Sequence, residues 1–132
     1  MPQPVKCRKG SLSDLKSLKI DNRISIAAES LEFNVLGMGH EFWVAEHSGM
    51  IIGISVLARE NDHGLRILYL EVAASQRKKG VGRALLQAIS RGYPNCDFAV
   101  VPSKDTEGFY EHMGFLHVGR WEMKRQTSSS VG

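Results

Sequence analysis

The feature that most constrains the fold is a run of three patterns: an apolar strand, an amphipathic helix and a second apolar strand. Residues 65–73 and 97–101 are the two strand patterns, and residues 80–91 carry apolar side chains at helical spacing. Gly92 and Pro94 follow the helix and end it. A strand, a helix and a strand in this order form a crossover between parallel strands of one sheet. We therefore expect the two strands to be parallel neighbours.

Two helical patterns precede the sheet region. A strand over residues 5–8 leads to Ser11, and Asp14 three residues later completes a near capping box at the start of a helix. The apolar residues at helical spacing are Leu12, Leu15 and Leu18 in the first pattern and Ile24, Ala27, Ala28, Leu31 and Val35 in the second. Gly37 and Gly39 then predict the end of the second helix.

After these helices the hydrophobic period changes to about 2, which is typical of strands. Residues 41–47 and 50–59 are β-rich runs joined by Ser48 and Gly49, a spacing that predicts a hairpin. A second turn cluster at 61–64 leads into the strand over 65–73. We therefore expect three antiparallel neighbours in the sheet.

The end of the chain predicts a short helix over 106–113, a stop at Gly114 and a last strand over 115–123. Residues 126–132 are rich in serine, and we expect them to form a flexible tail. The 132 residues are enough for one hydrophobic core. We predict a single domain over residues 1–125, with a mixed α/β fold in which helices flank a mainly antiparallel sheet.

Composition and charge exclude several classes of protein. The 17 Lys and Arg residues against 14 Asp and Glu residues leave a net charge of +3, which by itself does not indicate nucleic-acid binding. The uncharged stretch 50–58 is far shorter than the roughly 20 apolar residues of a membrane helix. Cys7 and Cys96 predict neither a zinc cage nor a disulfide framework. Because residues 4–9 lack the apolar core of a secretory signal, we expect a cytoplasmic protein.

The chemistry is concentrated between the third strand and the amphipathic helix. A glycine turn there exposes consecutive backbone N–H groups, which together with the positive end of the helix form a site for a pyrophosphate. Gly80 and Gly82 let the backbone approach the anion closely. The basic residues around this turn are Arg77, Lys78, Lys79 and Arg83. We expect the backbone, more than these side chains, to set the geometry.

Three phosphate-binding patterns compete for this turn. A Walker loop needs Gly-Lys followed by Ser or Thr, which Gly82, Arg83 and Ala84 do not supply. A dinucleotide fingerprint needs a third glycine where Leu85 stands, and an acidic residue closing the second strand, whereas Asp97 opens its strand. The third pattern is (Arg or Gln)-x-x-Gly-x-(Gly or Ala), in which x is any residue. Residues 77–82 match it at every fixed position, with Arg77, Gly80 and Gly82.

This loop and the later Phe109-Tyr110-x-x-x-Gly114-Phe115 segment together resemble the GNAT (Gcn5-related N-acetyltransferase) superfamily. The resemblance covers nearly the whole chain, and residues 72–86 are similar to the family's strand-loop-helix core. It implies an acyltransferase that moves an acetyl group from acetyl-CoA directly to a primary amine, without a covalent enzyme intermediate. It also implies that the two parallel strands splay and hold the cofactor between them.

The same resemblance implies the cofactor-binding residues. Backbone groups of Leu70, Glu71 and Val72 would contact the pantetheine and acetyl groups, and an N–H near Val72 would serve as an oxyanion donor. The residues implied for the pyrophosphate loop are Arg77, Lys78, Lys79, Gly80, Val81, Gly82 and Arg83. Ser103 stands where many members carry an asparagine that contacts the cofactor, and Thr106 stands where they carry alanine.

Tyr110 matches the tyrosine that acts in many members as general acid toward the leaving thiolate. A hydrogen bond to the thiolate would be enough, and packing beside Phe109 and Phe115 is the alternative role. Glu71 is the candidate base that takes a proton from the amine. The weaker candidates for this base are Glu41, Asp62 and His63.

Other functions stay open or are disfavoured. The departures at Ser103 and Thr106 leave open a CoA-sensing or partner-binding module without turnover. No metal site is predicted, because the His40-Glu41 pair does not continue as His-Glu-x-x-His. Trp43 and Trp121 are predicted to be strand aromatics. Edge strands such as 115–123 would allow a homodimer without requiring one, and no motif identifies the amine acceptor.

Overall fold

The helices and strands follow the hydrophobic patterns of the sequence. A computed structural model describes residues 5–20, 24 and 28–126. The first elements are strand β1 (Lys6–Lys9), helix α1 (Leu12–Ile20), helix α2 (Ala28–Glu32) and a π-helical turn (Phe33–Gly37). The next are strands β2 (Glu41–His47), β3 (Met50–Asn61) and β4 (Gly64–Val72). The last are a 3₁₀ turn (Ala74–Gln76), helix α3 (Val81–Gly92), strand β5 (Asp97–Val100), helix α4 (Glu107–His112) and strands β6 (Leu116–His117) and β7 (Met123–Arg125).

The strands of the described residues form one sheet in the order β1-β2-β3-β4-β5-β7-β6. The neighbours from β1 to β4 are antiparallel, β4 and β5 are parallel, and β5, β7 and β6 are again antiparallel. Helix α3 lies in the chain between the two parallel strands. The predicted hairpin, the crossover and the mainly antiparallel mixed sheet are therefore confirmed.

Helices cover both faces of the sheet because each has one apolar stripe. The stripe of α3 consists of Val81, Leu85, Leu86, Ala88 and Ile89, all of them buried. These residues belong to one hydrophobic cluster with Leu65 and Ile67 of β4. A second cluster joins Leu15 and Leu31 of the first two helices to the opposite face of the sheet. Burial of each valine, leucine or isoleucine side chain in these clusters contributes about 1.5–3 kcal/mol to stability.

Asp14 of the predicted near capping box ties the first helix to the sheet. The Asp14 carboxylate accepts a hydrogen bond from the Ser11 N–H at 2.7 Å. Arg8 of β1 donates to both Asp14 oxygens at 2.8 and 3.0 Å, and to Glu46 of β2 at 2.9 Å. Asp14 is buried, and its hydrogen bond with Arg8 holds the pKa of this carboxyl below its ordinary value. This ion-paired cluster therefore joins β1, α1 and β2.

We expect Asp14→Asn to lower the free energy of unfolding by about 2 kcal/mol at neutral pH, because the amide loses the charge-assisted bonds from Arg8. The folded-state pKa of Asp14 is lowered, so its contribution is present above the ordinary pKa of about 4 and is lost as the pH falls through the lowered value. Urea unfolding at about pH 7 and about pH 3 measures this difference. Asp62→Asn, in the exposed β3–β4 turn, is the control, and an Asp14 effect of equal size at both pH values would contradict the prediction.

The predicted last strand over 115–123 is wrong, because the chain reverses inside it. Strands β6 and β7 are short and antiparallel, and Val118 donates its N–H to the Glu122 carbonyl at 3.0 Å across the turn between them. Trp121 lies in this turn, 69% exposed, and not in a strand as predicted. Alternation of apolar residues does not show where a chain reverses, whereas Gly119 was an available turn signal.

The second helix is shorter than predicted. Helix α2 is followed by the π-helical turn, which ends where Met38 donates its N–H to the Phe33 carbonyl at 3.0 Å. Gly39, at φ 71°, then directs the chain into β2. Ile24 is buried in a bend, whereas Ala27 and most of the predicted tail lie outside the described residues. Within the described ranges, no helix has the length and apolar character needed to cross a membrane.

Candidate active site

A gap opens in the sheet where the two parallel strands part. Strands β4 and β5 are paired from Gly64 and Asp97 to Ile67 and Val100. Beyond Ile67, β4 continues beside β3 to Val72, whereas β5 ends at Val100. The pairing therefore stops where the expected splay would begin, and among the described residues the last part of β4 has no strand neighbour on that side.

A β-bulge in β4 decides which side chains face helix α3. The register with β3 shifts between Val56 and Leu57, so that Leu68 is an extra residue on β4. Ile67 packs in the α3 cluster, Leu68 packs in the opposite cluster, and Leu70 and Val72 pack again on the α3 side. Strict alternation from Ile67 would have turned Leu70 and Val72 to the other face. The bulge therefore gives the gap an apolar wall on the α3 side.

The backbone of β4 presents hydrogen-bonding groups to the gap. Ala73 donates its N–H to the Ile52 carbonyl of β3 at 2.8 Å, so Ala73 faces β3. Residues of an antiparallel pair alternately face the partner strand and face away from it. The N–H and C=O groups of Leu70 and Val72 therefore point away from β3, into the gap. In agreement, the Val72 carbonyl accepts a hydrogen bond from Arg77 Nε at 3.2 Å.

The predicted phosphate loop places the N-terminus of α3 beside this gap. Lys78 and Gly80 have φ of 64° and 81°, the left-handed conformation that turns the chain sharply into the helix. Ala84 donates its N–H to the Gly80 carbonyl at 3.0 Å. The N–H groups of Val81 and Gly82 precede this bond and point out of the helix end. Aligned N–H groups and the positive end of the helix dipole form a site for an anion.

One cavity of about 430 Å³ joins the loop, the end of β4 and the start of α4. It is lined by Leu70, Val72, Gln76, Arg77, Lys78, Gly80, Val81, Gly82, Arg83, Asp105, Thr106, Phe109 and Tyr110. Most of the predicted cofactor residues are therefore brought together, whereas Glu71, Lys79 and Ser103 do not line the cavity. The loop supplies cations at one end, and β4 and α4 supply apolar walls at the other.

Tyr110 is the buried polar residue of this cavity. It is 5% exposed and lies edge-on to Phe109 and Phe115, with ring centroids 5.1 and 5.2 Å apart. Among the described residues, no group makes a hydrogen bond with its hydroxyl. Burial raises the pKa of Tyr110 to about 12, so the phenol keeps its proton at all physiological pH values. The side chain can therefore act as a hydrogen-bond donor toward a ligand in the cavity.

The candidate bases are spread over the molecule. Glu71 lies between Leu70 and Val72, so its side chain is on the sheet face opposite the cavity, at the level of the gap. Glu41 accepts a hydrogen bond from the Tyr93 hydroxyl at 2.7 Å and pairs with Lys9 at 3.5 Å. The remaining two, Asp62 and His63, lie in the β3–β4 turn at the far end of β4.

Ser103 and Thr106 bond to each other across the turn that begins α4. Thr106 Oγ1 accepts a hydrogen bond from the Ser103 N–H at 3.1 Å and donates to the Ser103 carbonyl at 3.2 Å. The Ser103 hydroxyl also lies 3.1 Å from Thr106 Oγ1. The two departures from the family pattern therefore form one local motif, and Thr106 is the member that lines the cavity.

Sequence reasoning missed some cavity residues. It did not assign Gln76 or Asp105 to the site. It named Thr106 only as a departure from the family pattern, and Phe109 only as part of the Phe-Tyr motif. Gln76 could have been found because it adjoins the basic loop. Asp105 carries no such signal, because the loop before α4 matches no pattern and only the packing of α4 against α3 brings it to the cavity.

A cluster of three potential metal ligands lies outside the cavity. Donor atoms of Glu107, Glu111 and His117 lie within 4.8 Å of one another at the surface of α4 and β6. His117 Nε2 is 3.6 Å from Glu111 Oε1, a distance that allows an ion pair when the imidazole is protonated. Exposed ion pairs of this kind contribute little to stability.

The splayed sheet with a helix N-terminus at the gap defines the class of acyl-CoA N-acyltransferase folds. The family model of the acetyltransferase (GNAT) domain matches residues 38–116, which span β2 to the first residue of β6 and include the whole cavity. The chain belongs to this acetyltransferase family, as its loop and Phe-Tyr motif predicted.

Solved structures share the fold at low sequence identity. Ard1 from Thermoplasma volcanium matches with a TM-score of 0.74 and 21% identity, over 93% of this chain and 97% of that chain. The PaiA N-acetyltransferase from Thermoplasma acidophilum, in complex with coenzyme A, matches with a TM-score of 0.71 and 17% identity, over 94% of this chain and 99% of that chain. A GNAT family acetyltransferase from Elizabethkingia anophelis with acetyl-CoA bound matches with a TM-score of 0.65 and 17% identity, over 87% of this chain and 78% of that chain. No curated protein sequence matches the chain.

Proposed function

We propose that this protein is an N-acetyltransferase that transfers the acetyl group of acetyl-CoA directly to a primary amine. The observation that carries the proposal is one cavity that is lined by the start of α3, the end of β4 and the largely buried Tyr110 side chain. Relatives of the same fold with coenzyme A or acetyl-CoA bound support this cofactor.

In the proposed complex, the pyrophosphate of acetyl-CoA accepts hydrogen bonds from the N–H groups at the start of α3. Lys78 and Arg83 line the same end of the cavity and add positive charge. The pantetheine arm runs along β4 and bonds to the backbone groups of Leu70 and Val72, as an added strand would. This orientation brings the thioester to the gap, near Tyr110.

The chemical step is attack of a neutral amine on the thioester carbonyl, followed by loss of the coenzyme A thiolate. A backbone N–H of β4, at Leu70 or Val72, stabilises the negative charge on the carbonyl oxygen. Tyr110 donates a hydrogen bond to the departing sulfur. Because its pKa is about 12 and a thiol's is about 8.5, complete proton transfer would be uphill by about 5 kcal/mol. A hydrogen bond to the thiolate is therefore its role.

Glu71 is the proposed base. An amine with a pKa of about 10 is mostly protonated at neutral pH and must lose a proton before or during attack. Glu71 is on the sheet face opposite the cofactor cavity. An acceptor that reached the gap from that face would meet the carboxylate before it met the thioester. The proton would then pass from the amine to Glu71 directly or through a water molecule.

Two measurements on the purified protein test the function. Calorimetry at low salt measures acetyl-CoA binding, and we expect a Kd below about 1 mM. A panel of small amines, lysine peptides and peptides with free N-termini is then screened for release of the coenzyme A thiol, with mass spectrometry of the products. Acetylated product confirms the enzyme, whereas binding without thiol release for any amine would favour the CoA-sensing module. Absence of binding would overturn both.

A further inference from the structure

We propose that the Asp105 carboxylate accepts a hydrogen bond from the pantetheine arm of coenzyme A and thereby selects ligands that carry this arm. The inference rests on the proposed function, because it concerns the same cavity. The cavity has two walls: the end of β4, and the segment from Asp105 to Tyr110 that enters α4. Gly82 lies between the two, since a Cβ on it would be 3.5 Å from the Phe109 ring and 3.8 Å from Val72 Cγ2.

The arm needs hydrogen-bond partners on both walls. It carries amide N–H groups and a hydroxyl, and each of these loses its bond to water when the arm enters the cavity. The backbone edge of β4 can satisfy the groups on one side of the arm. The groups on the other side can find acceptors on the wall that enters α4.

On that wall the Thr106 hydroxyl has no hydrogen-bonding position left for a ligand. A hydroxyl has one donor and two acceptor positions. Thr106 Oγ1 donates to the Ser103 carbonyl, accepts from the Ser103 N–H and lies 3.1 Å from the Ser103 hydroxyl. Thr106 is therefore not available to the arm without breaking the turn, and Ser103 does not line the cavity.

Asp105 supplies a carboxylate acceptor on the same wall. Its side chain is exposed at the cavity and makes no hydrogen bond or ion pair with any described residue. An ionised carboxylate only accepts hydrogen bonds, so it suits the N–H and hydroxyl groups of the arm and not the phosphate oxygens. Tyr110, further along the same wall, is directed by the proposed function to the sulfur.

The negative charge of Asp105 also acts on the pyrophosphate. Exposed charges are screened over about 8 Å at physiological ionic strength, so this repulsion is weak where solvent enters the cavity. A direct hydrogen bond with the arm is short-ranged and is not screened in this way. We therefore expect the hydrogen bond to decide the sign of the effect on binding.

Calorimetry at physiological salt tests the proposal with two ligands: acetyl-CoA, and 3′-phosphoadenosine 5′-diphosphate, which lacks the arm. We expect Asp105→Ala to raise the Kd of acetyl-CoA about fivefold, the effect of one lost hydrogen bond, and to leave the Kd of the nucleotide within about twofold. Asp105→Asn keeps an amide oxygen as acceptor and should bind acetyl-CoA like the wild type. Asp62→Ala, at the far end of β4, controls for the loss of one carboxylate.

Other results would overturn the proposal. An equal loss for both ligands would mean that Asp105 supports only the loop, and tighter binding of acetyl-CoA to Asp105→Ala would mean that repulsion dominates. An unchanged Kd for acetyl-CoA would mean that Asp105 does not touch the arm. If the wild-type protein itself fails to bind acetyl-CoA, the proposed function fails, so the two failures are distinguishable.

Discussion

Replacing Tyr110 with phenylalanine is expected to lower turnover about 100-fold, because removing one positioned hydrogen-bond donor to a developing negative charge typically costs about 100-fold to 1,000-fold in turnover. The ring is 5% exposed and keeps its contacts with Phe109 and Phe115 in the variant, so the cavity should retain its shape. The Michaelis constant for acetyl-CoA should change by less than about threefold, since the lost interaction forms only as the sulfur becomes negative. Steady-state thiol release with the best amine of the screen measures both.

Tyr93→Phe is the matched control. The Tyr93 hydroxyl donates a hydrogen bond to Glu41 and lies outside the cavity, so turnover should stay near the wild-type value while thermal stability falls. If Tyr110→Phe raised the Michaelis constant and left turnover intact, Tyr110 would be a packing residue.

The pH profile of turnover gives a second check on Tyr110. With a pKa of about 12 the phenol stays protonated, so tyrosine should cause no loss of turnover between about pH 8 and about pH 10.

Replacing Gly82 with valine is expected to raise the Kd of acetyl-CoA about 100-fold, equivalent to about 2.7 kcal/mol. A Cβ at this position would meet the Phe109 ring at 3.5 Å and Val72 Cγ2 at 3.8 Å, which is ordinary contact. The added methyl groups of valine would extend beyond it into the cavity, where the cofactor must approach the backbone. Gly82→Ala should therefore bind within about threefold of the wild type.

Gly108→Val is the control for this substitution. Gly108 lies in α4, and a Cβ on it would have no atom within 4 Å, so the same change of side chain should leave the Kd unaltered. Calorimetry with acetyl-CoA on the three variants and the wild type makes the comparison. A Gly82→Val protein that binds as tightly as Gly82→Ala would show that the cofactor does not pass this part of the helix.

Local patterns were sufficient for several parts of the fold. Three features that act through neighbours close in sequence are present: the bond from the Ser11 N–H to the Asp14 carboxylate, the hairpin joined by Ser48 and Gly49, and the glycine turn at Gly80. The β6–β7 region failed for the opposite reason. There the apolar residues predict one strand, whereas the chain reverses, β6 pairs with β7 and Val118 bonds to Glu122 across the turn.

The candidate site divides in the same way. The loop from Arg77 to Arg83 and the Phe-Tyr motif were readable because an anion site and a family motif are runs of adjacent residues. The faces of the sheet on which the Leu70 and Glu71 side chains lie could not be predicted from the sequence. Strict alternation from Ile67 places each of them on the wrong face, because it leaves out the bulge. The role proposed for Asp105 could not be predicted from the sequence either, since it depends on the bonds between Ser103 and Thr106 beside it.

The sequence by itself determined that this chain makes a mixed sheet, a crossover and a glycine-turned helix end of the GNAT type, because periodicity and turn chemistry act between near neighbours. Only the tertiary structure decided which groups meet in the gap: the bulge at Leu68 turns Leu70 and Val72 toward α3, and packing around Tyr110 raises its pKa to about 12. Register and burial are set by contacts between residues far apart in the chain, and no local pattern records them.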